Sequence, residues 1–216
     1  MISNLKKRIL TSLGLILILI FVFFNIYFLG YILIVVGVLC LIEFFRMSKI
    51  IFKKDKIKQY FINIFFSIYI FCFCIMFLIF SENLYFKILI FLILFICVAS
   101  DIGGFVFGKV FKGYKLTKIS PNKTISGVLG SLMFSTSFIY LSILNLTNNH
   151  DIKILIIGLA TSIGCQTGDL FFSFLKRKSF LKDTGNFLPG HGGILDRVDG
   201  ILLGIPTGIL LLLTIY

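Results

Sequence analysis

Seven apolar stretches divide the chain, at about residues 8–26, 28–46, 59–80, 84–107, 124–145, 153–174 and 199–216. Each is close to the ~20 residues that take an α-helix across the hydrocarbon of a bilayer. Inside that hydrocarbon a segment must satisfy its own backbone N–H and C=O groups, which a helix does. Composition agrees: 58% of residues are hydrophobic, mean hydropathy is +1.07, and only 14% are charged. A soluble domain carries roughly a quarter charged residues. The expected fold is all-α, a polytopic integral membrane bundle of about seven transmembrane helices. The first two should form a tight hairpin around Asn25 to Gly30. The first apolar run, Ile9 to Leu29, is too long for the core of a signal peptide and lacks a cleavage site. The five cysteines (Cys40, Cys72, Cys74, Cys97, Cys165) all lie in apolar runs, with no Cys-x-x-Cys pair and no histidine cluster. They read as small packing residues, not as disulfides or zinc ligands.

The basic residues orient this bundle. With the N-terminus in the cytoplasm, 19 of the 21 Lys and Arg fall on the inner side, and only Lys87 and Lys153 lie toward the outer one. Positive loops stay in the cytoplasm, so the N-terminus is expected inside and the C-terminus outside. The net charge of +12 is dealt out loop by loop between apolar spans. That pattern suits an anionic leaflet and anionic substrates, not nucleic acid.

One inner loop is unlike the rest. Residues Ser173 to Gly200 read SFLKRKSFLKDTGNFLPGHGGILDRVDG. Five cations (Lys176, Arg177, Lys178, Lys182, Arg197) share the stretch with Asp183, Asp196, Asp199 and His191, and its second half is rich in glycine and proline. Topology alone accounts for the lysines and arginines. It does not account for two aspartates three apart at the mouth of an apolar helix, or for a glycine pair beside a lone histidine. Carboxylates to hold a hard cation, with cations and free N–H groups for phosphate oxygens, suit a polyphosphate and its metal.

Three further features point the same way. Asp101 ends an uncharged run from Ile88 to Ala99, and an ionisable residue at such depth is a functional candidate. Glu43 sits similarly, but Arg46 and Lys49 follow it, and an interfacial salt bridge is the expected role. In the sixth span Ser162, Gln166, Asp169 and Ser173 recur at i, i+4, i+7 and i+11, which puts them on one helix face. Asp169 is then expected to face Asp196 and Asp199 across a helix pair. Three such carboxylates repel unless a cation lies between them, and oxygen-only ligands indicate Mg²⁺, with room for a second cation. In the last span Gly200, Gly204 and Gly208 form a small-residue face for close helix approach, and Pro206 should kink the helix.

The loop resembles the phosphatidate cytidylyltransferases, the CDP-diacylglycerol synthases. The resemblance rests on Ser173, Leu175, Lys176, Arg177, Lys182, Asp183, Gly185, Pro189, Gly190, His191, Gly192, Gly193, Asp196, Arg197 and Asp199, without a gap. It extends to Asp101-Ile102-Gly103-Gly104, Phe107-Gly108-Lys109, Lys115-Leu116 and Ser120-Pro121-Asn122-Lys123-Thr124 with Gly127, so that it covers roughly Ser100 to Gly200. The chain departs from the family in lacking a proline between Lys-Leu and Ser-Pro, where it is one residue shorter, and in having Ser126 before the glycine. A division follows into N-terminal membrane helices, 1–83, and a catalytic membrane region, 84–216, with cytoplasmic loops 108–123 and 174–198.

The resemblance implies CMP transfer from CTP to phosphatidate, giving CDP-diacylglycerol and pyrophosphate. Asp169 and Asp196 hold the metal in the family pattern, and Asp199 is read as a third ligand. The candidate catalytic residues are these three with Lys182, Arg197 and His191. The candidate substrate-binding residues are Asp101, Ser120, Pro121, Lys123, Thr124, Lys176, Arg177, Asp183, Gly192 and Gly193. His191 is open to two roles, handling phosphate or a proton, or stabilising a turn. The implied setting is a bacterial inner membrane with the site facing the cytoplasm, and it is compatible with a homodimer. In-line attack by a phosphate monoester needs positioning and charge neutralisation more than a covalent nucleophile. Two other readings stay open: a CTP-dependent isoprenoid-alcohol kinase, and an ion-coupled transporter using Glu43, Asp101 and Asp169.

Overall fold

In the computed structural model, the residues described are 2–117, 119–120, 123–147, 151–185, 187 and 192–215, with side chains from residue 13 onward. Among them seven α-helices follow in order: α1 (Ile2–Phe24), α2 (Ile26–Ile51), α3 (Lys56–Glu82), α4 (Leu84–Phe111), α5 (Ile125–Thr147), α6 (Lys153–Lys178) and α7 (Leu195–Ile215). Six of them, α2 to α7, are long and apolar enough to cross a membrane, and α1 adds a shorter apolar stretch, Leu13–Phe24. Large apolar side chains point outward along these helices. On α3, Phe61, Phe65 and Phe71 are 71%, 74% and 65% exposed. Water would penalise that much bare hydrocarbon, and lipid does not. The chain is an integral membrane protein of the expected all-α class.

Helix ends differ from the apolar limits for a physical reason. α2, α4 and α6 run to Ile51, Phe111 and Lys178, about one turn past the apolar limits read at 46, 107 and 174. Hydropathy stops at the first charges, but backbone hydrogen bonding continues into the interface. Lys49, Lys109 and Lys176 to Lys178 lie in those last turns, where cations complement the helix dipole. The break between α1 and α2 is a single residue. Asn25 leaves the helical region and its Oδ1 accepts the N–H groups of Tyr27 (2.9 Å) and Phe28 (3.1 Å), an N-cap that starts α2 at once.

The chain divides into two compact units. The first comprises Met1–Leu84 and Leu175–Val198, and the second Tyr85–Phe174 and Asp199–Tyr216. In the first, α2 lies against α3. Phe44 stacks on Phe66 with ring centroids 3.8 Å apart, and Ser48 Oγ donates to Asn63 Oδ1 at 2.7 Å. The segment 175–198, which holds most of the charged motif, belongs to this unit and not with the span preceding it.

In the second unit small residues set the packing. A Cβ on Gly103 of α4 would fall 2.7 Å from Phe134 Cβ of α5. Along α7, a Cβ would fall 2.6 Å from Cys165 Sγ at Gly200, 2.7 Å from Cys97 Sγ at Gly204 and 2.9 Å from Ile93 at Gly208. The glycine face expected from the sequence is therefore the face on which α4 and α6 close. Close approach brings dispersion contacts that Leu-on-Leu packing in lipid cannot improve upon. Ser100 and Ser162, both buried, share a 2.8 Å hydrogen bond between α4 and α6. All five cysteines are free, and Cys40, Cys97 and Cys165 are buried.

Candidate active site

The second unit holds a cavity of about 260 Å³ whose lining includes Asp101, Ser120, Lys123, Thr124, Gln166 and Asp169. Local structure explains how these residues reach it. After α4 the chain doubles back: Leu116 N–H donates to the Lys123 carbonyl at 2.8 Å, Ile125 N–H to the Tyr114 carbonyl at 2.9 Å, and Lys115 bridges Thr124. That return places Lys123 just ahead of α5. Thr124 Oγ1 accepts the Gly127 N–H at 3.1 Å and caps the helix. Lys123 Nζ then meets Asp169 Oδ2 at 2.7 Å, with the two side chains 27% and 22% exposed. The polar face read on α6 is present: Gln166 and Asp169 line the cavity, while Ser162 is buried against Ser100. Asp169 Oδ1 rests against the bare Cα of Gly200, where a Cβ would come within 2.8 Å. Asp199, next along α7, accepts the Gly200 N–H at 3.0 Å.

The first unit holds a second carboxylate–lysine pair. Lys176 Nζ lies 2.7 Å from Asp196 Oδ1, and only 17% and 9% of the two side chains are exposed. The other oxygen, Oδ2, accepts the N–H groups of Thr184 (2.8 Å) and Gly193 (3.2 Å). Asp196 thus lies in the first turn of α7 with its charge satisfied by an ammonium and two backbone dipoles. Gly192 lies beside it at φ +86°, a backbone region that side chains resist, and a Cβ there would sit 3.4 Å from Asp196 Oδ2 and 3.6 Å from Asp183. Arg177, Lys182, Asp183 and Arg197 are exposed. Pro121 and His191 lie outside the described residues.

Glu43 departs from its expected role. It makes no salt bridge with Arg46 or Lys49, both of which are exposed. Glu43 is 2% exposed, and its carboxylate accepts hydrogen bonds from the Thr184 hydroxyl (2.6 Å), Ile194 N–H (3.0 Å) and Leu195 N–H (2.9 Å). The interfacial salt bridge is corrected to a buried anchor for the charged loop. The signal was available: an ionisable residue inside an apolar run is costly, which singled out Asp101 by the same rule.

Among the described residues no three His, Cys, Asp or Glu side chains gather as a metal-binding group. Asp169 and Asp196 instead each hold one lysine.

A model of the cytidylyltransferase family matches residues 49–215. The chain belongs to the cytidylyltransferase family. Curated relatives named phosphatidate cytidylyltransferase resemble it closely. One from Rickettsia felis is 41% identical over 125 residues, covering 53% of this chain and 55% of the relative. One from Rickettsia conorii is 40% identical over 135 residues, covering 58% of each, and one from Staphylococcus aureus is 41% identical over 129 residues, covering 58% and 48%. The chain spans about half the length of the curated relatives it matches. Within this cytidylyltransferase-family chain, the matched span takes in both carboxylate–lysine pairs and stops short of Glu43.

Proposed function

We propose that the chain transfers CMP from CTP to phosphatidate, releasing pyrophosphate and giving CDP-diacylglycerol. The observation that supports this most is the Lys123–Asp169 pair in the lining of a cavity on membrane helices, with Asp101 and Gln166 beside it, in a chain of the cytidylyltransferase family. The cavity, about 260 Å³, is just below the roughly 300–1,000 Å³ usual for ligand pockets. It suits a polyphosphate, and the acyl chains of the acceptor stay in lipid.

Two carboxylates, each taken by itself, also suit a divalent cation. Asp169 and Asp196 are oxygen donors, and each already accepts a positive charge at 2.7 Å. Such donors suit Mg²⁺ over zinc. Bound, Mg²⁺ supplies neutralisation of triphosphate charge. The lysines do related work. Lys123 and Lys176 hold the carboxylates in place, and phosphate oxygens offer both ammonium groups a second partner. In the reaction an oxygen of the phosphatidate phosphate attacks the α-phosphorus of CTP, and the bond to the α,β-bridging oxygen breaks in line. The acceptor is already ionised at neutral pH, so no Ser or Cys nucleophile is required. The site faces the cytoplasm of a bacterial inner membrane, the side on which the basic loops are counted and CTP is found.

CTP labelled on its α-phosphate, mixed with the full chain and vesicles that hold both phosphatidate and an isoprenoid alcohol, tests the reading. Label in the lipid fraction supports cytidylyl transfer. Labelled CDP would instead mean phosphoryl transfer to an alcohol, and untouched CTP would remove the enzymatic reading.

A further inference from the structure

Glu43 of α2 is buried, yet its charge is balanced by no lysine or arginine among the ion pairs of the described residues. Three donors take that place: the Thr184 hydroxyl and the N–H groups of Ile194 and Leu195, where α7 begins. A carboxylate in an apolar setting is stable only when so satisfied, and the start of a helix supplies both donors and a favourable dipole.

The contacts continue past Glu43. Thr184 gives its hydroxyl to Glu43 and its N–H to Asp196 Oδ2. Asp196 in turn holds Lys176. One residue of the loop therefore links two carboxylates. The glycines on either side of the link follow from it. A Cβ on Gly185 would strike Glu43 Oε1, and a Cβ on Gly193 would strike Thr184 Oγ1 and lie 2.5 Å from Glu43 Oε2. Two glycines of the charged motif thus lie against a residue 142 and 150 positions earlier in the sequence.

We infer that Glu43 is a positioning residue, which fixes the loop through Thr184 and so sets the orientation of Asp196 and Lys176. Among the ion pairs of the described residues it meets no lysine. Its removal leaves three donors facing a site made for an anion, and the loop loses its fixed register rather than the bundle its fold.

The test uses the full chain in detergent, with hydrogen exchange of the amides of 182–185 and 192–198 as a readout independent of activity. Glu43→Gln keeps the side-chain shape but turns an N–H₂ toward backbone N–H. Exchange of these amides should speed up about tenfold or more, the worth of a charge-assisted hydrogen bond, with helical content unchanged. In the labelled-CTP assay, which rests on the proposed function, kcat should fall about tenfold while KM for CTP changes far less. Thr184→Val should reproduce the faster exchange and Thr184→Ser, which keeps the hydroxyl, should not. That pair decides the matter even if Glu43→Gln does not fold. Unchanged exchange in Glu43→Gln, or identical exchange in Thr184→Val and Thr184→Ser, would overturn the inference. A wild-type chain that transferred no cytidylyl group would defeat the proposed function alone, since the exchange result stands without it.

Discussion

Lys123 Nζ lies 2.7 Å from Asp169 Oδ2, joining the turn before α5 to the polar face of α6. The contact makes Lys123 more than a counted positive charge. If the lysines of the inner loops only set orientation, any one could be lost at similar cost. Lys123→Gln should lower kcat/KM at least tenfold, about the worth of one charge-assisted hydrogen bond. Lys54→Gln, at an exposed lysine after α2, should change it less than about twofold. Equal losses at the two positions in the labelled-CTP assay would mean that net loop charge is what counts.

Asp169→Asn and Asp196→Asn each keep size and hydrogen-bonding reach but remove the charge that holds Lys123 or Lys176. Each should lose most turnover with helical content by circular dichroism intact. Excess EDTA should abolish wild-type turnover, and added Mg²⁺ should restore it. Full activity in EDTA would refute the cation, and full activity in either variant would refute that ligand.

Packing in the second unit predicts a contrast between glycines. Gly103→Ala would drive a methyl against Phe134 and the Gly130 backbone, which cannot move aside as a flexible side chain can. Overpacking of this kind costs about 1–3 kcal/mol, so thermal unfolding in detergent should move down by several degrees. At Gly14 in α1 a Cβ meets nothing within 4 Å. Gly14→Ala should leave the midpoint unchanged or raise it slightly, because alanine is the better helix former by up to about 1 kcal/mol. A fall at Gly14 as large as at Gly103 would contradict the packing described.

Orientation is checked by reporters. A tag fused after residue 216 should be reached only from outside the membrane, and a tag at the N-terminus only from the cytoplasm. The reverse pattern would sink the assignment of 19 basic residues to the inner side.

Hydropathy by itself determined that the chain is a helical membrane protein, because a segment in lipid must satisfy its own backbone and that demand is local. Periodicity was enough to put Gln166 and Asp169 on one face of α6, and spacing was enough to read the glycine face of α7, since both follow from 3.6 residues per turn. The charged motif, too, could be read directly from residue order. What no local rule could supply was partnership across the sequence. Asp169 meets Lys123 across 46 residues, and Asp196 meets Lys176 across 20. Glu43 shows the limit most clearly. Arg46 and Lys49 stand nearest to it in sequence, so a salt bridge was the natural local answer. Only the tertiary structure, by bringing the start of α7 and Thr184 to α2, offered donors that a buried carboxylate prefers to solvated cations.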